Sequence, residues 1–192
     1  MKKTVYIIPG FKHSTNRKIY KDIGNLFPKK DFNKVYVEIN WTRTTIKDWS
    51  RQFLEEFYKK DNSKTFLFGF SYGALISFLL SSEIEIDTQI LCSLSPYFKE
   101  DLPRIRKSWK ASMGHRRVTE FNKFVMSDIA NKIKAKTFLL YGENESEFVI
   151  TRAKDTFAKL NCKKYLEEVK NSKHDISGPE YFKEIQKTIN LL

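Results

Sequence analysis

The sequence predicts an α/β protein, a three-layer α/β/α sandwich built on a six-stranded, mostly parallel sheet. Short runs of aliphatic, β-branched and aromatic residues alternate along the chain with longer segments of helical spacing, which is the order of a parallel sheet covered by helices. The first five runs are nearly continuous in apolar residues, as strands buried on both faces are. The predicted strands are TVYIIPG (4–10), KVYVEIN (34–40), KTFLFGF (64–70), TQILCSL (88–94), KTFLLYG (136–142) and KYLEEVK (164–170).

The segments between these runs carry apolar residues three or four positions apart, which predicts helices with one buried face. A helix from Ile46 to Phe57 follows Thr44 and Thr45, either of which can cap its start. The last helix opens at Ser177-Gly178-Pro179, because proline suits the first helical position. Two more stripes predict helices, one at Ile19, Ile23 and Phe27, the other at Phe121, Phe124, Val125, Ile129 and Ile133.

The 192 residues fit a single domain, 1–192, because no linker, repeat or low-complexity tract divides them. A domain of this size buries roughly two-thirds of the surface that its unfolded chain exposes, so it needs no disulfide or metal to fold. The segment from Lys99 to Lys134 is longer than one crossover helix requires. It predicts a helical excursion above the sheet, at about residues 99–134, in the position of a lid.

Charge and cysteine usage narrow the class of protein. The 35 Lys+Arg against 23 Asp+Glu give a net charge of +12, but the excess lysines are scattered, and only residues 104–117 form a denser basic cluster. We interpret the charge as a solvated surface without a nucleic-acid partner, and keep a nucleic-acid-binding module at that cluster as a minor alternative. Cys92 lies in an apolar run, and neither it nor Cys162 belongs to a CxxC pair, so we expect free thiols.

The sequence predicts neither a secreted nor a membrane-spanning protein. The N-terminal apolar run is interrupted by Pro9-Gly10, and no cleavage site of small residues follows it. No apolar run approaches the ~18 residues that a membrane span requires. We therefore expect a cytoplasmic protein, and the sequence makes no prediction of its oligomeric state.

The stretch FLFGFSYGALISFLL (66–80) places Ser71 between two glycines, after an apolar strand and before an apolar helix. A strand that passes at once into a helix makes a tight turn, in which side chains two residues before and after the serine would collide with neighbouring elements. Gly69 and Gly73 remove that collision, and the small Ala74 eases the same contact. The turn holds the Ser71 hydroxyl over the C-terminal edge of the sheet, beside a helix N-terminus that favours a developing anion.

This turn resembles the nucleophile elbow of the α/β-hydrolase superfamily. The resemblance covers nearly the whole chain, because an oxyanion loop, an elbow, an acid loop and a histidine loop each follow a predicted strand in the family order. Full-length members carry two further strands before the oxyanion-loop strand, for which this chain has no room. It is similar to the small, minimal serine hydrolases, which implies a sheet order of 2-1-3-4-5-6, counted in this chain.

A serine hydroxyl needs a base within hydrogen-bond reach, and the chain offers three histidines. His174 follows the last predicted strand and precedes the last helix, where the family carries its base. His13 follows the first strand and would line the mouth of the site, whereas His115 lies among arginines in the excursion and is most simply a surface residue. The resemblance therefore implies that His174 is the base.

The imidazole needs an acid behind it to fix its tautomer. The family places this acid after the strand that precedes the histidine, and the matching stretch LLYGENESEF aligns Glu145 with it. Glu143 and Glu147 are close enough to leave the register open. Glu100 and Asp101, in the loop after the preceding strand, are a further alternative.

Two backbone N–H groups would stabilise the oxyanion of a tetrahedral intermediate. Tyr72, the residue after the nucleophile, supplies one. Phe11 supplies the other, because IIPGFKH resembles the family's His-Gly-x loop with Pro9 in place of the histidine. Gly10 in this loop lets the chain turn away closely beneath a bound substrate.

The leading interpretation is a hydrolase that cleaves a carboxylic ester or thioester of a small or medium acyl group. Ser71 would attack, His174 would move the proton and Glu145 would orient His174, with neither metal nor organic cofactor. The alternative is a catalytically silent α/β-hydrolase-fold protein that binds a ligand or a partner. A set of aromatic residues suggests an apolar acyl pocket but equally suits packing, namely Phe11, Phe70, Tyr72, Tyr97, Phe98 and Trp109.

Overall fold

The structure is a computed structural model that describes residues 3–61 and 63–192. Its strands are β1 (Lys3–Ile8), β2 (Phe32–Tyr36), β3 (Lys64–Phe70), β4 (Thr88–Cys92), β5 (Lys136–Gly142) and β6 (Lys164–Val169). They form one sheet in the order β2-β1-β3-β4-β5-β6, and every neighbouring pair is parallel. The predicted fold class, strand number and strand order are confirmed.

Eight α-helices accompany these strands in the described part of the chain. They are α1 (Lys18–Leu26), α2 (Ile46–Gln52), α3 (Tyr72–Glu83), α4 (Lys107–Met113), α5 (His115–Phe121), α6 (Met126–Ala130), α7 (Glu147–Lys159) and α8 (Pro179–Ile189). None of the helices that the structure describes is both long and apolar enough to cross a membrane.

The sheet separates two apolar cores, because successive side chains of a strand point to opposite faces. In β1, Tyr6 and Ile8 belong to the core that contains α2, α3 and the excursion helices. Val5 and Ile7 belong to the other core, which contains α1 and α8. Helix α3 is buried from residue 72 to residue 81, which explains why its sequence is apolar on every side.

Strand β2 differs from its prediction in position and in burial. It spans residues 32–36 rather than 34–40, and Val35 and Tyr36 are only half-buried. The reason is its place at the edge of the sheet, where it pairs with β1 alone. Val37 and Ile39 are buried, but they lie beyond the end of the strand, in the loop that follows it.

The stripe from Phe121 to Ile133 does not form one helix, as its spacing predicted, but is divided between α5 and α6. The chain between α5 and α6 forms hydrogen bonds with the loop after β4. The carbonyl of Phe124 accepts a hydrogen bond from the Lys99 N–H at 2.8 Å, and the Glu100 carboxylate accepts one from the Met126 N–H at 3.0 Å. These bonds tie the chain between the two helices to the loop after β4.

The helix predicted from Ile46 begins where expected. Thr45 precedes it, and the Thr45 N–H donates to the Asp48 carboxylate at 2.9 Å. Thr44 has a different role, since its hydroxyl accepts a hydrogen bond from the Trp49 indole at 2.7 Å. The helical path continues from α2 into a wider π turn at Phe53–Phe57.

Helices α4, α5 and α6 form the excursion between β4 and β5, after a 3-10 turn at Leu102–Arg104. Arg117 of α5 holds it against the loop after β2. Its guanidinium donates to the carbonyls of Trp41 at 2.7 Å and Thr44 at 2.9 Å, and it lies 5.0 Å above the ring of Phe11. The excursion is therefore fastened beside the loop after β1.

Candidate active site

Ser71 stands at the junction of β3 and α3 in a backbone conformation that L residues rarely adopt, with φ 56° and ψ −114°. Its N–H donates to the carbonyl of Cys92 at 2.8 Å, which fixes the turn to β4. A Cβ atom on Gly69 would lie 2.4 Å from the carbonyl oxygen of Gly73, and one on Gly73 would lie 2.2 Å from that of Ile8. Both glycines are therefore required by close backbone packing, as the sequence predicted.

A chain of hydrogen bonds joins Ser71 to two other polar side chains. Nε2 of His174 lies 2.9 Å from Ser71 Oγ, and Nδ1 of His174 lies 2.6 Å from Oε2 of Glu145. Glu145 follows β5, and His174 follows β6. Because the C-terminal ends of parallel strands lie at one edge of the sheet, these separate loops converge above Ser71.

The other carboxylates that the sequence left open lie elsewhere. Glu143 accepts hydrogen bonds from the Lys170 ammonium at 3.1 Å and from the Asn171 N–H at 3.0 Å. Glu147 is the first residue of α7, and the Glu100 carboxylate accepts from the Met126 N–H. Asp101 is buried in an ion pair with the guanidinium of Arg152, a residue of α7. Within residues 3–61 and 63–192, Glu145 is the carboxylate in hydrogen-bond contact with His174.

The Glu145 side chain is fully buried, although it carries a carboxylate. Its Oε1 atom accepts hydrogen bonds from the Ser93 hydroxyl at 2.5 Å and from the Gly142 N–H at 2.9 Å. Its Oε2 atom faces His174. Buried carboxylates are stable only when such donors replace water, so these contacts hold the carboxylate in one orientation.

Ser93 and Tyr181 support Glu145, and the sequence reasoning missed both. Ser93 follows β4 with a positive φ of 53°, and its hydroxyl lies 2.8 Å from the Tyr181 phenol. Tyr181 comes from α8, is fully buried, and lies 3.0 Å from the carbonyl oxygen of Leu140. Burial, reinforced by the nearby Cys92 and Glu145, raises the pKa of the Tyr181 phenol, so it stays a neutral hydroxyl. The sequence signal for Tyr181 was its place on the apolar stripe of the last predicted helix.

The other two histidines do not contact Ser71. Nδ1 of His13 lies 2.9 Å from the Tyr20 phenol, and its ring is 6.2 Å from that of Phe70, which lies 5.1 Å from the His174 ring. Burial, together with the charges of Arg17 and His174, lowers the pKa of His13. His13 thus contacts Tyr20 and Phe70 rather than Ser71. His115 is exposed on α5.

Phe11 and Tyr72 bring two backbone N–H groups to the same edge of the sheet. Strands β1 and β3 are adjacent with Ile8 opposite Gly69, so the loop after β1 lies beside the turn at Ser71. Their rings stack with centroids 4.8 Å apart. In the described residues neither N–H has an acceptor, whereas the adjacent Gly10 N–H donates to the Tyr20 phenol. Two backbone donors thus remain available next to Ser71.

A further hydroxyl lies at the site, and it is not among the site residues expected from the sequence. Ser95, in the loop after β4, places its Oγ atom 3.2 Å from Ser71 Oγ. Both side chains are buried. The signal was its position three residues past the end of a central strand, where loops converge.

The aromatic residues near Ser71 pack mainly against one another. Tyr72 lies 5.0 Å from Tyr97 and 5.5 Å from Trp49, and Tyr97 stacks on Phe121 at 5.2 Å. Most of the aromatic residues singled out from the sequence are buried, and only Trp109 is largely exposed, at 56%. The rings therefore form a core beneath the excursion, with Phe11 half-buried at its margin.

Possible metal ligands are not clustered. The described residues contain no group of three or more His, Cys, Asp or Glu side chains placed to hold a metal ion. Cys92 is a buried free thiol, as predicted, and Cys162 is a half-buried one.

No family model matches the chain, and no curated protein matches it. Several solved structures, in contrast, match the chain. Est1E from Butyrivibrio proteoclasticus with bound ferulic acid matches with a TM-score of 0.83, covering 98% of this chain and 87% of that chain at 12% identity. A putative hydrolase from Agrobacterium vitis S4 matches at 0.82, covering 99% and 87% at 17% identity. Mouse alpha/beta hydrolase domain-containing protein 10 matches at 0.78, covering 98% and 88% at 10% identity. The chain has the fold of the α/β hydrolases.

Proposed function

We propose that the protein is a serine hydrolase that cleaves a carboxylic ester or thioester through an acyl-enzyme intermediate. The observation that carries the proposal is the continuous chain from Ser71 Oγ through His174 to the buried Glu145 carboxylate, with contacts of 2.9 and 2.6 Å. These are the nucleophile, the base and the orienting acid of a catalytic triad in mutual hydrogen-bond reach. The fold supports the proposal, because structures that share it are described as esterases and hydrolases.

Acylation begins with the Ser71 hydroxyl. Its oxygen bonds to the acyl carbon while its proton passes to Nε2 of His174, and the carbonyl π electrons move to the oxygen as an oxyanion. When the oxyanion collapses, the bond to the leaving alcohol or thiol breaks, and the leaving group takes the proton from Nε2. Water then repeats the sequence against the acyl-enzyme, and Ser71 is released with its hydrogen restored.

Glu145 holds the imidazole in the tautomer that this sequence requires. A carboxylate only accepts hydrogen bonds, so the hydrogen of the 2.6 Å contact lies on Nδ1 and leaves Nε2 free to accept. Its charge also stabilises the imidazolium that forms when Ser71 gives up its proton. Ser93, Gly142 and Tyr181 keep this carboxylate in place.

Phe11 and Tyr72 are the proposed oxyanion donors. Their N–H groups, free of other acceptors in the described residues, lie on the loop after β1 and at the start of α3. Each donor contributes about 3 kcal/mol of transition-state stabilisation in sites of this kind. The N-terminus of α3 adds favourable potential for the negative charge.

The substrate in this proposal carries a short acyl group, because the rings beside Tyr72 pack against one another. The chemistry uses protein groups alone, without a metal or an organic cofactor. We further propose one domain, in which α4 to α6 act as a lid, and a cytoplasmic location, in keeping with the free thiols.

The second candidate is a catalytically silent protein that binds a ligand or partner through the same scaffold. The packed rings near Ser71 favour it, since they leave less space for an acyl chain. A complete triad counts against it, because a silent scaffold has no need to keep three side chains aligned.

Hydrolysis by the native protein and by Ser71→Ala tests the proposal. A panel of p-nitrophenyl esters and acyl thioesters of graded chain length should show turnover by the native protein, greatest for short acyl groups, and none above background for Ser71→Ala. Ser81→Ala is the matched control, because it removes a buried hydroxyl from the far part of α3. Equal turnover of any ester by the native protein and Ser71→Ala would refute the assignment.

A further inference from the structure

Ser95 makes a contact that the Ser71–His174–Glu145 chain does not account for. Its hydroxyl oxygen lies 3.2 Å from that of Ser71, and the residue is 2% exposed. Among the described residues, Ser71 is the one hydrogen-bond partner found for the Ser95 side chain. A buried hydroxyl normally has a partner, so the direction of this bond matters.

In the active form of the proposed triad, with an ionised Glu145 and a neutral His174, counting hydrogens gives that direction. The hydrogen between His174 and Glu145 lies on Nδ1, because a carboxylate has none to give. A neutral imidazole carries one hydrogen, so Nε2 accepts, and the hydrogen of the 2.9 Å contact is that of Ser71. Ser71 has no second hydrogen. The 3.2 Å contact therefore uses the hydrogen of Ser95, which donates to Ser71 Oγ.

We propose that Ser95 is a further catalytic residue, whose hydroxyl stabilises the negative charge that develops on Ser71 Oγ as its proton moves to His174. The inference rests on the proposed function. The resting bond is longer than the 2.7–2.8 Å usual between two hydroxyls, whereas bonds to an oxyanion contract and are roughly twice as strong. The contact is thus stronger in the transition state than in the ground state, which is the condition for catalysis.

The same bond acts in both halves of the reaction. During acylation it stabilises Ser71 Oγ as the O–H bond breaks and the bond to carbon forms. During deacylation Ser71 Oγ becomes the leaving oxygen, and Ser95 donates to it again while His174 returns the proton. The hydrogen of Ser95 stays on Ser95 throughout, so the step needs no further reactant. One lone pair of Ser71 Oγ is held by Ser95, which leaves the other directed at the acyl carbon.

The test compares Ser95→Ala, Ser95→Thr and Ser95→Cys with the native protein and with Ser81→Ala. The rates measured are kcat/KM for p-nitrophenyl acetate and the rate constant of inactivation by a fluorophosphonate, with thermal unfolding as a check on folding. Ser95→Ala should lower both rates about 10- to 100-fold, the range for a lost hydrogen bond to a charged group. Ser95→Thr keeps the donor and should retain most of the native rate.

The pH profile separates this role from a structural one. Ser95 touches the nucleophile and not the base, so Ser95→Ala should lower the whole profile of kcat/KM without moving the midpoint of its acidic limb. A displaced midpoint would mean that the substitution acts through His174, and this would overturn the inference. Native rates in Ser95→Ala would overturn it as well.

Two more comparisons keep the inference falsifiable. If Ser95→Ala does not fold, the rates of Ser95→Cys and Ser95→Thr test the inference instead. The threonine hydroxyl keeps a good hydrogen-bond donor, whereas the cysteine thiol is a weak one. Equal rates for these two would then overturn the inference, and a much slower Ser95→Cys would support it. If the proposed function itself is wrong, the results differ from these. Ser71→Ala would then remain active, or the native protein would not react with the fluorophosphonate. An inert Ser71→Ala beside a fully active Ser95→Ala would overturn the role of Ser95 alone.

Discussion

Glu145 shows how single residues define this site. Its carboxylate is fully buried yet has hydrogen-bond donors at both oxygens, from Ser93 and Gly142 on one side and His174 on the other. The carboxylate acts through its negative charge and through the fixed direction in which its oxygens accept hydrogen bonds. Replacement by glutamine removes the charge with little change in side-chain volume. Substitution at this residue therefore separates shape from electrostatics.

Glu145→Gln should lower kcat/KM roughly 10³- to 10⁴-fold, because a glutamine amide that donates to Nδ1 fixes the wrong imidazole tautomer and provides no charge for the imidazolium. The measurement is hydrolysis of an activated ester at several pH values. Glu143→Gln is the control, since Glu143 faces Lys170 and Asn171 at the surface and should leave the rate within a factor of about two. Equal losses in the two variants would contradict the role of Glu145.

His13 gives a pH prediction about stability. Its pKa is lowered in the folded protein by burial and by Arg17 and His174, whereas an unfolded histidine has a pKa of about 6.5. Below that pH the His13 imidazole is protonated in the unfolded chain, whereas in the folded protein it binds a proton only at lower pH. The free energy of unfolding should therefore fall as the pH decreases through this range, and level off below the folded pKa.

Urea unfolding at pH 8, 7, 6 and 5 measures this effect. His13→Gln keeps a hydrogen-bonding group opposite the Tyr20 hydroxyl but does not titrate, so its free energy of unfolding should fall less between pH 7 and pH 5 than that of the native protein. Other titrating groups contribute to both proteins alike. Parallel curves would show that burial of His13 does not make its protonation unfavourable.

At the scale of elements, the turn between β3 and α3 depends on two close backbone approaches. Gly73 passes beneath the end of β1, and a Cβ atom there would lie 2.2 Å from the carbonyl oxygen of Ile8. Neither β1 nor α3 can move away, because both are buried in the sheet and core. The strained Ser71 backbone is thus maintained by packing of whole elements around it.

Gly73→Ala should therefore destabilise the protein by about 3 kcal/mol, the upper end of the usual cost of overpacking, or prevent folding. Gly178→Ala is the matched control, because its Cβ would lie 3.4 Å from the carbonyl oxygen of Asp175, an ordinary contact, and should cost under about 1 kcal/mol. Urea unfolding at one pH gives both values. A Gly73→Ala protein as stable as Gly178→Ala would contradict the packing described for the turn.

The excursion helices depend on Arg117, which donates to the carbonyls of Trp41 and Thr44. Arg117→Ala should lower the free energy of unfolding by about 1 to 3 kcal/mol and expose residues 99–134 to limited proteolysis. The neighbouring Arg116 is exposed and donates only to the Arg43 carbonyl among its described contacts. Arg116→Ala removes the same charge and should cost under about 0.5 kcal/mol. Equal proteolysis of the two variants would show that Arg117 does not fasten the excursion.

Across the whole molecule, the features predictable from sequence are those set by local pattern. The bounds of β3 and β5 coincide with the apolar runs at 64–70 and 136–142. Gly69 and Gly73 were predictable for the same reason, because the steric demand of the turn is local. The order of the sheet, by contrast, was implied by the family resemblance and not by local pattern. Glu145 and His174 were assigned from the family resemblance, by their places in the loops after the last two strands.

The contacts that could not be predicted join distant loops. Ser93 and Ser95 follow β4 in a segment whose path depends on the positive φ of Ser93 and on partners far along the chain, Glu145 and Tyr181. The interruption between α5 and α6 likewise depends on bonds to Lys99 and Glu100. Sequence periodicity contains no information about such pairings, since it describes one element at a time.

Covalent labelling shows whether Ser71 is an activated nucleophile. The native protein is incubated with a fluorophosphonate near neutral pH, and the modified peptide is identified by mass spectrometry. We expect one adduct per chain, on Ser71, with labelling abolished in Ser71→Ala and His174→Ala and retained in Ser81→Ala. If the native protein takes up no label, or if Ser71→Ala takes up as much label as the native protein, Ser71 is not an activated nucleophile.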